Sequence, residues 1–567
     1  MSNGVIITPG LADGALKRPE QSTDVYEQAQ AFRNERRATR ARSLIAVALM
    51  GLAFMTIAGQ LIRLAMNGQT EQRISISAPL ATAFARPDII DRHGRLMASD
   101  IVMESLVADP QSVLDQQEIA DKLATVLPDL DKKGVLNALA DRTKRFAWIR
   151  RRLSDAEAQK VHDLGLPGLD FRPELRRSYP LGRSAGHALG FVNIDNKGLQ
   201  GIERYLDKRE SVEPVHGPTL SARAPLRLSL DVAVQFAVED ELAEAMRRYS
   251  AAAAVGLIMD VNNGEIVAAA SIPGLDPIVT MDRFDKNRID RLAGGTYELG
   301  SVFKAFTAAL AFEDGVDPRA RIDVPPKLEV EHYQISDSHP AEGPLTISDI
   351  FLRSSNVGSA MLALHSGQQR QKAFLEKLGL TTPMATEAGS IARASPPKRW
   401  GDIETVTISY GHGLAVAPLQ FAAASATLIN GGHRIKPTFL RKVGRSAGHT
   451  ERVIAPETSQ FIRRLMRDNV ASKGGTGWRA DVPGLEVGGK TGTAEIPGKG
   501  GYQAKSVIAS FLGAFPMNKP RYLTLVCLFE PQGNRETNGK ITADRNAAPT
   551  TGRIIARVSP MLGFLPE

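Results

Sequence analysis

The longest apolar run lies near the N-terminus, where Leu44 to Ile62 reads LIAVALMGLAFMTIAGQLI without a charge. At 1.5 Å rise per residue such a run can cross roughly 30 Å of hydrocarbon as a helix. Arg33, Arg36, Arg37, Arg40 and Arg42 stand directly before it, which a buried helix of a soluble domain would not explain. A cleaved signal peptide carries a shorter apolar core, about 7–15 residues, close to the first residue. The pattern therefore predicts one uncleaved transmembrane helix over residues 43–63. The arginines keep a 1–42 arm in the cytoplasm by the positive-inside rule, and everything after Arg63 is delivered across the membrane.

Beyond the anchor the period shortens and mixes. Residues 64–225 combine alternating stretches with helical patches such as Gln117 to Val126, as an α+β module would. Glu213-Pro214-Val215-His216-Gly217-Pro218 and then Pro225 interrupt the pattern and mark a boundary. A second unit spans 226–567. Asp231 to Arg248 carries apolar residues at helical spacing, and Ala251 to Met259 and Ile266 to Ile272 flank the turn signal Asn262-Asn263-Gly264. Val507 to Phe515 and Tyr522 to Phe529 read as further strands. The fold class expected is α+β: one transmembrane helix, an elongated N-terminal pedestal module, and a C-terminal domain with a β-sheet flanked by helices.

Composition changes this picture little. The 567 residues are 43% hydrophobic and 23% charged, ordinary globular usage. The net charge of +8 comes from 70 Lys and Arg against 62 Asp and Glu, too slight an excess, without basic–aromatic interleaving, to indicate a nucleic-acid partner. A single cysteine, Cys527, excludes an intrachain disulfide and a Cys-rich metal site, and its apolar surroundings read as a core strand. No H-E-x-x-H, P-loop or Rossmann fingerprint occurs and the histidines do not cluster, so neither metal nor cofactor is expected. Asp337 and His339 read as a surface loop pair.

Three short motifs carry chemistry. Gly300-Ser301-Val302-Phe303-Lys304 leads into Ala305 to Phe312, a run of helix formers apolar nearly all round. Ser301 at its start meets unpaired backbone N–H groups and the positive end of the dipole. Lys304, three residues on, lies over the same face, with Cβ atoms about 5–6 Å apart. Burial lowers a lysine pKa and makes the amine a usable base for a hydroxyl; alone, the spacing is more usually a cap followed by a solvated lysine. Ser354-Ser355-Asn356 falls at a helix–helix junction and by itself is a plain N-cap. Gly488-Gly489-Lys490-Thr491-Gly492-Thr493-Ala494 sits in a strand from Leu485 to Ile496, where interior glycines mark close approach by a ligand or backbone. Its cation, two hydroxyls and bare Gly492 suit a carboxylate with a substrate backbone alongside.

In this order the motifs resemble the S-x-x-K, S-x-N and K-T-G set of the penicillin-recognising serine acyl transferases. The resemblance implies Ser301 as nucleophile, Lys304 as its base, and Ser354 and Asn356 as proton relay and substrate contact. Lys490, Thr491, Gly492 and Thr493 bind substrate, and the backbone N–H groups of Ser301 and Thr493 form the oxyanion hole. Whether the lysine or another group takes the proton is left open. Arg86-Pro87-Asp88-Ile89-Ile90-Asp91-Arg92-His93-Gly94 and Gly198-Leu199-Gln200-Gly201-Ile202-Glu203 look like signatures of the N-terminal module of class B penicillin-binding proteins. Tyr410-Gly411-His412-Gly413 is similar to their Y-G-x-G element. Tyr297-Glu298-Leu299-Gly300-Ser301 resembles the approach to the nucleophile in division-type members, with Leu299 replacing the usual proline and Val302 the usual threonine.

What the resemblance implies is a peptidoglycan D,D-transpeptidase acting in septal wall synthesis, with stem peptides as substrates, β-lactams as covalent inhibitors, and a SEDS-family glycan polymerase and other division proteins as partners. It would be a single-pass protein of the inner membrane with a periplasmic catalytic domain. An elongation-type transpeptidase and a non-catalytic scaffold or β-lactam sensor are the alternatives. A β-lactamase would need a group that activates water between the second and third motifs; the one E-P-x-x-N match, Glu530 to Asn534, comes after Lys490 and reads as a turn.

Overall fold

Alternation of apolar side chains along two central strands decides how the larger part of the molecule is layered. In the computed structural model, residues 48–60, 63, 86–209, 224–442, 451–498 and 501–564 are described. The chain divides into a unit of residues 1–78 and a unit of residues 79–567. In the first, residues 48–60 are helical; the rest of the expected 43–63 span, save Arg63, lies outside the described residues, as does the Glu213 to Pro218 stretch. Among the described residues no helix is long and apolar enough to cross a membrane.

The second unit begins with a sheet built around one long strand. It comprises β1 (Ile89–Ile90), β2 (Leu96–Ala108), β3 (Ala147–Leu153), β4 (Leu169–Ser178) and β5 (Leu226–Arg227). β4 pairs with β2 from Ser99 to Ala108, β3 with its Glu104 to Ala108 end, and β1 with Leu96 and Ala98. Helices Gln116–Val126, Lys132–Ala140 and Asp155–Asp163 contribute Ile119, Leu123, Val135, Leu139 and Val161 to a core shared with Leu106 and Leu153. Asp115 accepts from the backbone N–H groups of Gln117 and Glu118, and Ser154 with Glu157 forms a reciprocal capping box, so both helix starts are fixed by local chemistry.

The two signatures of this module meet in space. Glu203, fully buried, takes Arg86 on one carboxylate oxygen at 2.8 Å and Arg177 on the other at 2.7 Å. Arg177 also reaches Asp100 at 3.2 Å and the Pro87 carbonyl at 2.9 Å, and Arg86 pairs with Asp207. The rest of the first signature ties the module to the chain beyond residue 225: Asp91 accepts from Val232 N at 3.2 Å, and Arg92 pairs at 2.6 Å with Glu265, which also holds Arg441.

The larger sheet contains β6 (Ala253–Asp260), β7 (Ile266–Ile272) and the strands Gly488–Gly498, Gly501–Phe515 and Tyr522–Phe529. Gly488–Gly498 forms one edge, Gly501–Phe515 and Tyr522–Phe529 come next, then β6, with β7 at the far edge; every pairing is antiparallel. The expected hairpin at Asn262-Asn263-Gly264 joins β6 to β7, with Gly264 at φ +78° and its α-carbon against the Lys436 carbonyl, where a side chain would not fit. β6 and Tyr522–Phe529 are buried along their whole length, and their side chains divide by strand parity. Val255, Leu257, Leu525 and Cys527 enter the core that holds helices Lys304–Glu313, Pro418–Ile429 and Pro456–Ala471. Ala254, Ile258, Val526 and Leu528 face helices Val232–Tyr249 and Ala547–Val558 on the other side. A sheet flanked by helices is what the sequence implied; helices Pro418–Ile429 and Pro456–Ala471 had not been anticipated.

Candidate active site

The nucleophile motif sits where the helical core meets the edge strand Gly488–Gly498. Gly300 at φ +64° opens a 3₁₀ turn, Gly300–Phe303, that runs into helix Lys304–Glu313. Ser301 is thus in the first turn, as expected, and Lys304 opens the α-helical part. A β-carbon on Gly300 would fall 2.6 Å from the Thr493 carbonyl oxygen, so the backbone stretches bearing Ser301 and Thr493 are in contact. Gly411 of the Tyr410–Gly413 element closes the other side: Gly300 N donates to its carbonyl at 3.2 Å, and a β-carbon there would lie 1.9 Å from the Gly300 oxygen. Gly492 is crowded in the same way by the Leu299 carbonyl at 2.3 Å. Only glycine fits these contacts.

The second motif divides its labour. Ser354 ends helix Ile347–Arg353 in the left-handed region at φ 57°, and Ser355 caps helix Asn356–Ser366 by accepting from Gly358 N at 2.9 Å. The N-cap reading thus holds for Ser355. Ser354 and Asn356, either side of it, turn toward Lys304.

Lys304 Nζ lies 2.9 Å from Ser301 Oγ, 2.7 Å from the Ser354 carbonyl, 2.7 Å from Asn356 Oδ1 and 3.1 Å from Ser354 Oγ. Its two shortest contacts are to carbonyl oxygens, which only accept. They use two N–H bonds, and a neutral amine then has its lone pair left for the Ser301 proton. Lys490 Nζ, on the edge strand, lies 3.0 Å from Ser354 Oγ, 3.1 Å from the Thr491 carbonyl and 3.5 Å from Thr476 Oγ1. The Ser354 hydroxyl therefore bridges two amines. Thr491 Oγ1 bonds Thr476 Oγ1 at 2.7 Å, and Thr493 Oγ1 accepts from Ala543 N at 3.1 Å.

Both amines are almost sealed from solvent, Lys304 at 2% and Lys490 at 0% exposure. Burial lowers the Lys490 pKa from its ordinary value of 10.5 to about 7. For Lys304 burial is the largest cause, the neighbouring Lys490 charge adds to it, and Asp337 opposes both; the result lies well below the ordinary lysine range. Lys490, when it carries its proton, is a buried cation suited to an incoming carboxylate.

Several partners were not legible in the sequence. Asp337 is no surface pair with His339: it accepts from the Ser355 hydroxyl and from Asn356 N and Val357 N, whereas His339 is exposed. Thr476, in the glycine-rich Gly474-Gly475-Thr476-Gly477, is held by Asn469 Oδ1 and meets Thr491; the glycines were the signal. Glu298 accepts from Gly413 N at 2.9 Å and pairs with His412 at 3.2 Å, bracing the approach to Ser301. The Glu530 to Asn534 pattern is a bend followed by irregular chain and not itself the turn expected, which comes after it at residues 535–539; Asn534 Nδ2 donates to the Arg248 carbonyl.

Three motifs thus converge from a helix start, a helix junction and a sheet edge, the arrangement of a serine acyltransferase. Residues 254–550 match the penicillin-binding protein transpeptidase domain and residues 82–215 the penicillin-binding protein dimerisation domain, and the chain belongs to the class B penicillin-binding proteins. Among its relatives, a probable peptidoglycan D,D-transpeptidase FtsI of Caulobacter vibrioides is 38% identical over 84% of this chain and 82% of its own length. A probable peptidoglycan D,D-transpeptidase PenA of Neisseria meningitidis is 30% identical over 85% of each chain. Peptidoglycan D,D-transpeptidase FtsI of Escherichia coli is 29% identical over 85% of this chain and 84% of that one.

Proposed function

We propose that the protein is a peptidoglycan D,D-transpeptidase working through an acyl-enzyme on Ser301, placed in septal wall synthesis. The observation that carries this reading is the 2.9 Å contact of Ser301 Oγ with a buried lysine whose two shortest contacts are to carbonyl oxygens. Ser301 Oγ gives its proton to Lys304 and attacks the penultimate D-Ala carbonyl of a stem peptide. Backbone N–H groups of Ser301 and Thr493 stabilise the resulting oxyanion. Collapse breaks the D-Ala–D-Ala amide, and the proton returns to the departing amine through Lys304 and Ser354. An amine from a neighbouring strand then attacks the ester, regenerates Ser301 and leaves the cross-link. Lys490, Thr491 and Thr493 hold the substrate carboxylate, Asn356 contacts the stem peptide, and Gly492 lets its backbone lie against the edge strand. A β-lactam acylates the same serine and stays.

The FtsI name of two relatives supports the division-type role. The uncharged run from Leu44 to Ile62 and the arginines before it support a single span at 43–63 in the inner membrane, with the 1–42 arm cytoplasmic and the modules at 64–225 and 226–567 periplasmic. A SEDS-family glycan polymerase and other division proteins are the partners proposed in that membrane. Intact-mass measurement of the full chain with benzylpenicillin tests the site: one stable adduct is expected in the native protein and none in Ser301→Ala of unchanged thermal stability. An adduct retained by that variant would remove Ser301 from the role.

A further inference from the structure

One charge that faces the reacting groups has no part in the acyl transfer proposed for Ser301. Asp337 stands one residue beyond the short strand Tyr333–Ser336, half-buried, and its carboxylate reaches across to the second motif. One oxygen accepts from Asn356 N and from Val357 N, the latter at 3.2 Å, and the other accepts from the Ser355 hydroxyl. These are the first N–H groups of helix Asn356–Ser366, unpaired within the helix and at the positive end of its dipole. Ser355 caps the same helix at Gly358 N, so Asp337 completes a cap that Ser355 alone leaves open. The contact pins the turn that presents the Ser354 carbonyl and Asn356 Oδ1 to Lys304.

Capping alone would be served by any acceptor. The carboxylate differs in its charge: among the described residues the charged groups acting on Lys304 are Lys490 from the edge strand and Asp337 from the loop after Ser336, the one repelling a proton and the other retaining it. Ser301, Ser354 and Asn356, the other groups around the amine, are neutral.

We propose that Asp337 is a positioning residue of the acyl-transfer site, its carboxylate fixing the Ser354–Asn356 turn against Lys304 and supplying the negative charge that faces that lysine. This rests on the reading of Ser301 as nucleophile and Lys304 as its base. Asp337→Asn keeps the size and one acceptor but removes the charge, Asp337→Ser keeps a short cap acceptor, and Asp337→Glu keeps the charge on a longer arm.

The test is the rate constant for acylation by benzylpenicillin from about pH 6 to 9, with thermal midpoints, on the full chain in native, Asp337→Asn, Asp337→Ser, Asp337→Glu and Ser301→Ala forms. With the anion gone, Lys304 gives up its proton more readily. The acid limb of the profile is therefore expected to move to lower pH in Asn and Ser while the plateau falls about tenfold or more as the turn loosens. Glu is expected to leave the limb in its native place. The proposal fails if Asn and Ser keep the native limb, whether the rate is unchanged or falls only with the folded fraction. It fails also if neither folds, since Asp337 is then a structural cap. An adduct surviving in Ser301→Ala would instead sink the nucleophile reading, and a native-like Asp337→Asn beside a dead Ser301→Ala would sink this proposal alone.

Discussion

Around Glu203 the N-terminal module buries Arg86 and Arg177 against Glu203, Asp100 and Asp207. Around Lys304 the catalytic domain buries two lysines with one half-buried carboxylate, Asp337, acting on Lys304. Both regions take charge out of water, which costs several kcal/mol per ion unless partners replace the solvent. In the first every charge is matched in bidentate or multiple contacts, and Arg177 holds its proton more firmly than in water because Glu203 and Asp100 outweigh its desolvation. In the second the matching is incomplete, so both lysines hold their protons less firmly than in water, Lys490 with a pKa of about 7. Balanced burial fixes a shape, whereas unbalanced burial holds amines ready to exchange protons and to receive an anion.

The comparison breaks most severely if a balanced partner is removed. Glu203→Gln leaves Arg177, itself fully buried, with half its countercharge; a loss of about 3–5 kcal/mol is expected in denaturant unfolding, with acylation by the remaining folded protein unchanged. The opposite sign is expected at the other region. Lys490→Met removes a desolvated amine from a site that it burdens, so the melting temperature at pH 7 should rise by a few degrees while acylation falls about 100-fold or more.

The pH dependence sharpens the contrast. Lys490 titrates at about 7 in the folded chain against 10.5 when exposed, so between those values the unfolded chain binds a proton that the folded one does not. Its contribution therefore makes stability rise with pH across that window, and Lys490→Met should lose this slope in melts taken from pH 7 to 10. The smallest effect belongs to charges that are not buried at all. Lys122 and Glu118 pair at 2.6 Å one helical turn apart, each about half exposed, and Lys122→Ala should change stability by no more than about 0.5 kcal/mol.

Much of this molecule could be read from local pattern. The strands around Ala253–Asp260 and Tyr522–Phe529, the Asn-Asn-Gly turn, and the apolar helix behind Ser301 each come from a few adjacent residues, because side-chain direction repeats every two residues in a strand and every 3.6 in a helix. The three motifs were legible for the same reason, since each carries its chemistry within three to seven consecutive positions.

What no local pattern contained was the pairing of segments distant in the chain. Strand Tyr522–Phe529 lies beside β6, with Leu525 opposite Leu257, and that register brings the K-T-G edge back to a helix some two hundred residues earlier. The inward turn of Asp337, the Thr476 contact with Thr491, the Glu298–His412 brace and the positive φ of Ser354 arise the same way. Sequence alone determined which residue types were available and which face of each element would be apolar. Tertiary structure decided which of them share one dry space, and it is that exclusion of water, with the charges enclosed there, that draws both lysines below the ordinary lysine range.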